Sequence, residues 1–276
     1  MTTTIKKEYI QAGGIKTFLV SAGTGDPLLL IHGASPGASS LVNWKLNIEP
    51  LAAAGFTVYA YDQPGFGFTD NPSDHSIEYR VTHAKALIGT LKIDRFHVVG
   101  NSVGGYIAAR LALEDNRVKT LVTTTSGSLS PQGSAESQSM AKKHSEDLRE
   151  YEPSLENMRK LTFGTIFNKH LVTEELIQER YEMSIGKNYE AQLQRRNAAR
   201  QRPVYDELTQ LRVKALLLWG NNDRGVAVER GLELFRRIPG AEFHLFDRCA
   251  HWVQWDQAER FNRLVIDFLG SPSSQE

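Results

Sequence analysis

Short apolar segments that alternate with helical patterns constrain this chain most strongly. Six such segments are bounded by turn-forming residues: Pro27–His32, Thr57–Asp62, Phe96–Asn101, Lys119–Thr125, Val213–Gly220 and Glu242–Asp247. Most are continuous rather than alternating, which is typical of strands buried on both faces of a parallel sheet. Helical patterns lie between them, and the clearest is the apolar stripe over residues 255–268. The alternation predicts an α/β fold, with a mostly parallel central sheet flanked by helices.

One long region interrupts this alternation. Residues 131–205 are polar and charged, offer no strand pattern, and carry helical patterns around 135–151, 155–167 and 174–185. We therefore expect an α/β core formed by residues 1–130 and 206–276, and a helical insertion over residues 131–205 between two strands.

Composition excludes several classes of protein. The 276 residues include 32 basic and 32 acidic side chains, so the formal net charge is zero, which argues against nucleic-acid binding. The one cysteine, Cys249, can form neither an internal disulfide nor a cysteine metal site. No apolar run is long enough for a membrane span, and the Thr-rich start lacks the apolar segment of a signal peptide. We expect a cytoplasmic protein without a membrane partner.

A serine follows the predicted strand Phe96–Asn101. Residues 100–104 read Gly-Asn-Ser-Val-Gly and place Ser102 directly before a helical pattern that begins at Val103. A G-x-S-x-G sequence between a strand and a helix is typical of a nucleophilic serine whose hydroxyl projects above the sheet. The structural alternative is a serine that only caps the helix. We favour the nucleophile because both flanking elements are predicted.

A serine hydroxyl needs a general base, and the base needs an acid that orients it. His251 follows the last predicted strand and precedes the final helix, where folds of this class carry the base. Asp223 follows the strand over residues 213–220 and is the preferred acid. Asp247 lies only four residues before His251, and Asp62 precedes the serine, which is the wrong order.

The other histidines are expected in structural or solvent-facing positions. Two lie within strand patterns: His97 and His244. Four lie in polar stretches and are predicted to face solvent: His75, His83, His144 and His170.

The loop after the first predicted strand is a candidate oxyanion hole. Residues 32–37 read His-Gly-Ala-Ser-Pro-Gly, and their small side chains let a backbone N–H approach a substrate oxygen. We expect the N–H groups of Ala34 and Val103 to stabilise a developing oxyanion, and His32 to hold the loop. A tight structural turn is the alternative.

Together these motifs resemble those of the meta-cleavage product hydrolases, an α/β-hydrolase family that cleaves a carbon–carbon bond of 2-hydroxy-6-oxohexa-2,4-dienoates. Residues 32–37 are similar to the family's H-G-x-G-P-G loop, and residues 65–70 to its G-F-G-x-(S/T)-D segment. Residues 171–182 resemble its lid arginine segment, and the insertion matches the lid in position and length. His251–Phe268 resembles the family's ending, with an H-W pair and an F-N-R-L-V run.

The resemblance implies roles for individual residues. The triad positions correspond to Ser102, Asp223 and His251. The positions that bind the dienoate carboxylate and its 2-oxo or hydroxy group correspond to Asn43, Asn101 and Arg180. Trp252 matches the aromatic residue beside the catalytic histidine. The resemblance further implies an anionic small-molecule substrate, no cofactor or metal, and a homodimer or larger homo-oligomer.

Three positions depart from the family's pattern, and the C6 substituent of the substrate is left open. Ala34 and Ser35 stand where the family usually has Gly or Ser and then Gly, and Ala250 replaces the Gly before the histidine. Hydrogen, alkyl and aryl substituents are all compatible with the sequence. Candidates for shaping that pocket are Met140, Leu161, Phe163, Ile166 and Trp219. A carboxylesterase with the same triad and a non-catalytic binding protein are the alternative functions.

Overall fold

The strands form one mixed sheet. The computed structural model describes residues 4–131, 134–198 and 201–270. Its strands are β1 (Ile5–Ala12), β2 (Ile15–Ala22), β3 (Asp26–Ile31), β4 (Phe56–Tyr61), β5 (Phe96–Asn101), β6 (Val118–Thr124), β7 (Lys214–Gly220) and β8 (Glu242–Phe246). They lie in the order β1-β2-β4-β3-β5-β6-β7-β8. All neighbours from β4 to β8 pair in parallel. The six predicted strands are confirmed as β3 to β8, with their ends within one residue.

The sequence did not predict the antiparallel edge of the sheet. β1 and β2 form a hairpin in which Ile5 lies opposite Ala22, and β2 then pairs antiparallel with β4. In β1 only Ala12 is buried, because this strand lies at the edge of the sheet. An edge strand with one buried residue has no continuous apolar run to reveal it.

Helices cover both faces of the sheet. They are α1 (Ser40–Trp44), α2 (Ile48–Ala53), α3 (Ile77–Thr90), α4 (Val103–Glu114), α5 (Ala135–Arg149), α6 (Leu155–Thr165), α7 (Glu174–Glu182), α8 (Lys187–Arg196), α9 (Val228–Arg237), α10 (Val253–Asp256) and α11 (Ala258–Gly270). Apolar residues of α3, α4 and α9 form a core against one face, and those of α1, α2 and α11 form a core against the other. The predicted α/β class is therefore confirmed. None of the helices within the described residues is both long and apolar enough to cross a membrane.

Helices α5 to α8 occupy the chain between β6 and β7, and no strand lies there among the described residues. Apolar side chains of α6 and α7, and of the segments next to them, share a third core with Val42, Trp252 and Trp255 of the α/β core. The helix α8 was not predicted from the sequence, because it is polar and buries only Asn188, Ala191 and Gln192. That residues 131–205 form a unit of their own stays a prediction.

Glycines beside Ser102 allow α4 to pack closely against the sheet. A Cβ atom on Gly104 would lie 2.2 Å from the Ile31 carbonyl oxygen, and one on Gly100 would lie 2.3 Å from the Gly104 carbonyl oxygen. These are backbone atoms of the sheet and the helix, so they cannot move away without shifting whole elements. The close approach sets the position of the turn that carries Ser102.

Substitution of Gly104 by alanine tests this packing. We expect Gly104→Ala to lower the free energy of unfolding by about 1–3 kcal/mol, because the added methyl group overpacks the junction. Gly89→Ala is the matched control, since Gly89 lies in α3 and a Cβ atom there would have no neighbour within 4 Å. That change is expected to raise stability by up to about 1 kcal/mol. Urea denaturation measures both, and a Gly104→Ala protein as stable as the wild type would contradict the packing argument.

Candidate active site

Ser102 occupies a strained turn between β5 and α4. Its backbone angles are φ 54° and ψ −120°, a conformation that residues other than glycine rarely adopt. The Ser102 N–H donates to the Thr124 carbonyl at 2.9 Å, and the Ser102 carbonyl accepts from Gly105 N–H at 2.9 Å. Its hydroxyl makes no capping hydrogen bond to the helix. The capping role considered for this serine is therefore absent, and the hydroxyl remains available for chemistry.

His251 and Asp223 form a direct hydrogen bond. The distance from His251 Nδ1 to Asp223 Oδ2 is 2.7 Å. The other carboxylate oxygen, Asp223 Oδ1, accepts from the N–H groups of Gly225 at 2.7 Å and Val226 at 3.0 Å. Burial alone would raise the pKa of Asp223, but the charge and hydrogen bond of His251 and the N–H of Gly225 outweigh it and lower the pKa. The ionised carboxylate thus fixes a proton on Nδ1 and leaves Nε2 free to accept one.

Ser102 and His251 line one small cavity of about 70 Å³. Ala34, Val103 and Trp252 are among the other lining residues. In the described part of the chain, the N–H groups of Ala34 and Val103 donate to no protein acceptor. The cavity therefore combines a free hydroxyl, an oriented imidazole and two free N–H donors, which is the set that acyl transfer requires.

His32 holds the loop that carries Ala34. Its Nε2 accepts from the Gln63 N–H at 3.0 Å, so the ring proton lies on Nδ1, which donates to the Gly33 carbonyl at 2.6 Å. Burial lowers the pKa of His32 to about 3, and the ring stays neutral at physiological pH. This is the structural role expected for His32.

Arg180 is a fully buried cation on the helix α7. Its Nη1 donates to Thr162 Oγ1 at 3.0 Å, and its Nη2 donates to the Pro36 carbonyl at 3.2 Å and Ser35 Oγ at 3.4 Å. The guanidinium lies over the ring of Trp252, 4.6 Å from its centroid. Burial lowers the pKa of Arg180 to about 10, so it remains charged. Its Nε has no partner, and no carboxylate among the described residues pairs with it.

Two asparagines leave buried polar atoms unpaired. Asn43 is fully buried, and neither its Oδ1 nor its Nδ2 has a hydrogen-bond partner among the described residues. Asn101 donates through Nδ2 to Thr124 Oγ1 at 2.8 Å, while its Oδ1 has no hydrogen-bond partner in the part of the chain that the structure describes. Buried polar atoms without hydrogen bonds cost about 1–3 kcal/mol each. Both side chains are therefore suited to bind a polar ligand or water.

The structure brings the predicted site residues together only in part. Asn101, Ser102, Val103, His251 and Trp252 line the small cavity with Ala34. Arg180 reaches it through two residues that contact its guanidinium and line the cavity, Ser35 and Trp252. Asn43 is not among the lining residues, and Asp223 lies behind His251.

The departures from the family pattern have visible consequences. The Ser35 hydroxyl accepts a hydrogen bond from Arg180 that a glycine could not offer. Ala250 has no positive φ, so its backbone conformation is open to any residue. Its N–H donates to Asp256 Oδ2 at 2.8 Å, which fixes the loop before His251.

Asp256 is a residue of this region that sequence reasoning missed. Besides the Ala250 N–H, its carboxylate accepts the N–H groups of Phe167 and Asn168, each at 2.8 Å. The Thr165 carbonyl also accepts from the N–H of His251 at 3.1 Å. The segment after α6 is thus tied to the loop that carries His251. In the sequence, this role is indicated only by an acidic residue five positions after His251. Acidic residues are commonly solvent-exposed, so this feature alone does not identify a buried Asp256.

Two predictions for histidines are wrong. His83 is buried, and its Nε2 lies 2.8 Å from Thr17 Oγ1. His144 is partly buried, lines the small cavity, and has its ring centroid 5.7 Å from that of His251. His144 lies in the polar helix α5, whose inward face the local composition did not reveal. His83 is one of the buried residues of α3, the helix whose apolar residues pack against the sheet. His75 is half-buried, whereas His170 is exposed as predicted.

A second cavity, of about 690 Å³, adjoins the small one. Both are lined by His144, Thr165 and His251. Of the residues proposed to shape a C6 pocket, Met140 and Leu161 line this second cavity. The remaining three do not line it: Phe163 is exposed, and Ile166 and Trp219 are buried in the core.

Comparison with known proteins agrees with this geometry. A family model described as the alpha/beta hydrolase fold matches residues 26–258. A 2-hydroxy-6-oxononadienedioate/2-hydroxy-6-oxononatrienedioate hydrolase of Paraburkholderia phymatum is 36% identical over 89% of this chain and 87% of its own. A 2-hydroxy-6-oxo-6-phenylhexa-2,4-dienoate hydrolase of Burkholderia cepacia is 35% identical over 98% of both chains. Among solved structures, a variant of the meta-cleavage product hydrolase from Pseudomonas fluorescens IP01, complexed with acetates, has a TM-score of 0.83 and 33% identity, covering 95% of this chain and 97% of that one.

The fold and the family match define an α/β hydrolase. Within that superfamily the chain belongs to the meta-cleavage product hydrolases. The resemblance stated from the motifs is thereby confirmed, and so is the expectation of an enzyme of the carbon–carbon hydrolase class.

The role of Asp256 can be tested by replacing its carboxylate with an amide. Asp256→Asn loses one of the acceptor positions used by three backbone N–H groups, so we expect a loss of about 1–3 kcal/mol in unfolding free energy. A lower kcat should accompany it because the His251 loop loosens. Asp247→Asn is the matched control, since Asp247 is exposed. Thermal unfolding and steady-state kinetics measure both variants, and equal behaviour of the two would contradict a tethering role for Asp256.

Proposed function

We propose that the protein hydrolyses the C5–C6 bond of a 2-hydroxy-6-oxohexa-2,4-dienoate to a 2-hydroxypenta-2,4-dienoate and a carboxylic acid. The observation that carries the proposal is the buried guanidinium of Arg180, which lacks a carboxylate partner within the described residues and lies behind the wall of the Ser102 cavity. A buried charge without a partner is costly. The dienoate carboxylate supplies the missing anion, and its two oxygens fit the planar, bidentate hydrogen-bonding geometry that arginine favours.

The first proposed stage turns the dienol into a ketone. The 2-hydroxyl loses its proton and C5 gains one, and His251 takes part in the transfer through its free Nε2. The product has a 2-oxo group conjugated so that it accepts electrons when the C5–C6 bond breaks. In this stage Arg180, Asn43 and Asn101 bind the carboxylate and the 2-oxo group, and the unpaired amide atoms of both asparagines support this role.

The second proposed stage breaks the carbon–carbon bond. Ser102, or a water molecule that it assists, adds to the C6 carbonyl while His251 accepts the proton. The N–H groups of Ala34 and Val103 stabilise the oxyanion on C6. Its collapse expels C5 as a dienolate, and the net reaction consumes one water molecule. Asp223 keeps the imidazole oriented and stabilises its protonated form.

The alternatives make different demands on the same cavity. An ordinary carboxylesterase uses Ser102, Asp223 and His251 but has no need of a buried cation behind the cavity. A non-catalytic binding protein needs no hydrogen bond that orients His251. Homodimer or larger assembly stays a prediction.

The activity itself is tested with dienoates that carry hydrogen, methyl or phenyl at C6. These conjugated substrates are coloured, and we expect rapid loss of their visible absorbance as the bond breaks. A neutral p-nitrophenyl ester is measured in parallel. Fast ester turnover without dienoate cleavage would support the esterase, and inactivity on both would favour the binding protein.

Removal of the Ser102 hydroxyl gives a second prediction. Ser102→Ala should lower kcat for dienoate cleavage by at least about 10³-fold, because neither direct attack nor assistance to water remains. The free energy of unfolding, measured by urea denaturation, should be little changed. This control separates a loss of chemistry from misfolding. Wild-type turnover in this variant would remove Ser102 from the mechanism.

A further inference from the structure

A third cavity, of about 630 Å³, adjoins the loop proposed as the oxyanion hole. It shares three lining residues with the small cavity of Ser102: Ala34, Val103 and Leu148. Four arginines line it: Arg80, Arg149, Arg195 and Arg196. None of its lining residues is acidic. We refer to it as the arginine cavity.

In the described chain, the four guanidiniums lack ionic partners. Within residues 4–131, 134–198 and 201–270, none of them pairs with a carboxylate. Other arginines of the chain do form such ion pairs: Arg110, Arg117, Arg159, Arg202 and Arg237. Some arginines outside the cavity also form no ion pair within the described residues. Among them are Arg212, which is exposed, and Arg230, which donates to Ser130 and Gly127. The arginine cavity differs from these in that four such guanidiniums line one cavity with no acidic residue in its lining.

Arg80 and Arg195 hold their charges close to each other. Both guanidiniums lie against the ring of Phe66, at 5.6 Å and 3.9 Å from its centroid. Arg195 Nη1 donates to the Gly65 carbonyl at 2.8 Å, and Arg80 Nη1 donates to Gln63 Oε1 at 3.3 Å. Arg80 is only 7% exposed, and its Nε has no partner. Burial and the charge of Arg80 lower the pKa of Arg195 to about 9, so both remain cationic at neutral pH.

We infer that the arginine cavity binds a second carboxylate, at the far end of the C6 substituent, and that the preferred substrate is a dicarboxylate. This inference rests on the proposed function. Two cationic sites adjoin the cavity of Ser102: Arg180 through Ser35 and Trp252, and the arginine cavity through Ala34, Val103 and Leu148. A diacid whose C6 carbonyl lies at Ser102 has one anionic group for each of them.

Sequence identity to the relatives does not distinguish between the possible C6 substituents. The relative named for a nonadienedioate and the relative named for a phenylhexadienoate are 36% and 35% identical to this chain. The arginine cavity favours a carboxylate over a phenyl group at the end of the C6 substituent. A phenyl group offers no charge to the four unpaired guanidiniums, whereas a carboxylate relieves their mutual repulsion.

The test compares two substrates that differ only in the terminal carboxylate. One is 2-hydroxy-6-oxonona-2,4-diene-1,9-dioate, and the other is its monocarboxylate analogue with a propyl group at C6. We expect the wild type to prefer the diacid in kcat/KM. Arg195→Gln should lower kcat/KM for the diacid by about 10- to 100-fold, the value of a charge-assisted hydrogen bond, and leave the propyl substrate within about threefold. Arg195→Lys should retain part of the preference.

Arg212→Gln is the matched control, since Arg212 is exposed, lines none of these cavities, and its replacement removes the same charge. It should leave both substrates unaffected. If Arg195→Gln lowered kcat/KM equally for the two substrates, the cavity would either bind the carboxylate that both substrates share or only stabilise the fold. Either result would overturn the inference. So would a wild type that shows no preference for the diacid.

Binding of the acid products gives a readout that does not need turnover. Cleavage of the diacid releases succinate, and cleavage of the propyl analogue releases butyrate. Calorimetric titration should give tighter binding of succinate than of butyrate, with the difference lost in Arg195→Gln. If neither dienoate is hydrolysed, the proposed function fails. Succinate that binds no better than butyrate overturns the assignment of the arginine cavity itself.

Discussion

The proposed chemistry of this protein depends on one buried charge. Arg180 has no exposed surface and no carboxylate partner in the described chain, yet it remains ionised. Carbonyl and hydroxyl oxygens and the face of Trp252 offset part of the cost of its burial. In the proposed complex, the substrate carboxylate offsets the remaining cost. We therefore propose that the protein takes an anionic substrate, which is the property that separates the proposed function from that of a general esterase with the same serine turn.

The position of this charge couples the inserted helices to the α/β core. Arg180 comes from α7 but donates to Ser35 and Pro36 of the loop that also carries Ala34. Asp256 and the Thr165 carbonyl tie the segment after α6 to the loop of His251. Under the proposed function, movement of the inserted helices changes the carboxylate site, the oxyanion loop and the general base together. We therefore propose that these few hydrogen bonds link substrate entry to the alignment of His251.

Sequence reasoning worked where one local pattern determines one local structure. Continuous apolar runs predicted β3 to β8, and the strand–Ser102–helix sequence predicted the turn whose φ is 54°. It failed where burial depends on distant contacts. The edge strand β1 and the helix α8 bury few residues, and His144 faces His251 from a charged helix. The four unpaired arginines of the arginine cavity come from α3, α5 and α8, so their proximity exists only in the folded chain.

The measurement that tests the central claim most directly compares Arg180→Gln with the wild type on two substrates. One is a dienoate and the other a neutral p-nitrophenyl ester, and kcat/KM is determined for both. If Arg180 binds the substrate carboxylate, kcat/KM for the dienoate should fall by about 100-fold, because the substitution removes the buried guanidinium charge. For the ester, kcat/KM should change by less than about threefold. Arg180→Lys should fall between, since it keeps the charge but not the planar geometry. Equal losses on both substrates, or none on the dienoate, would contradict the claim that Arg180 recognises the substrate carboxylate.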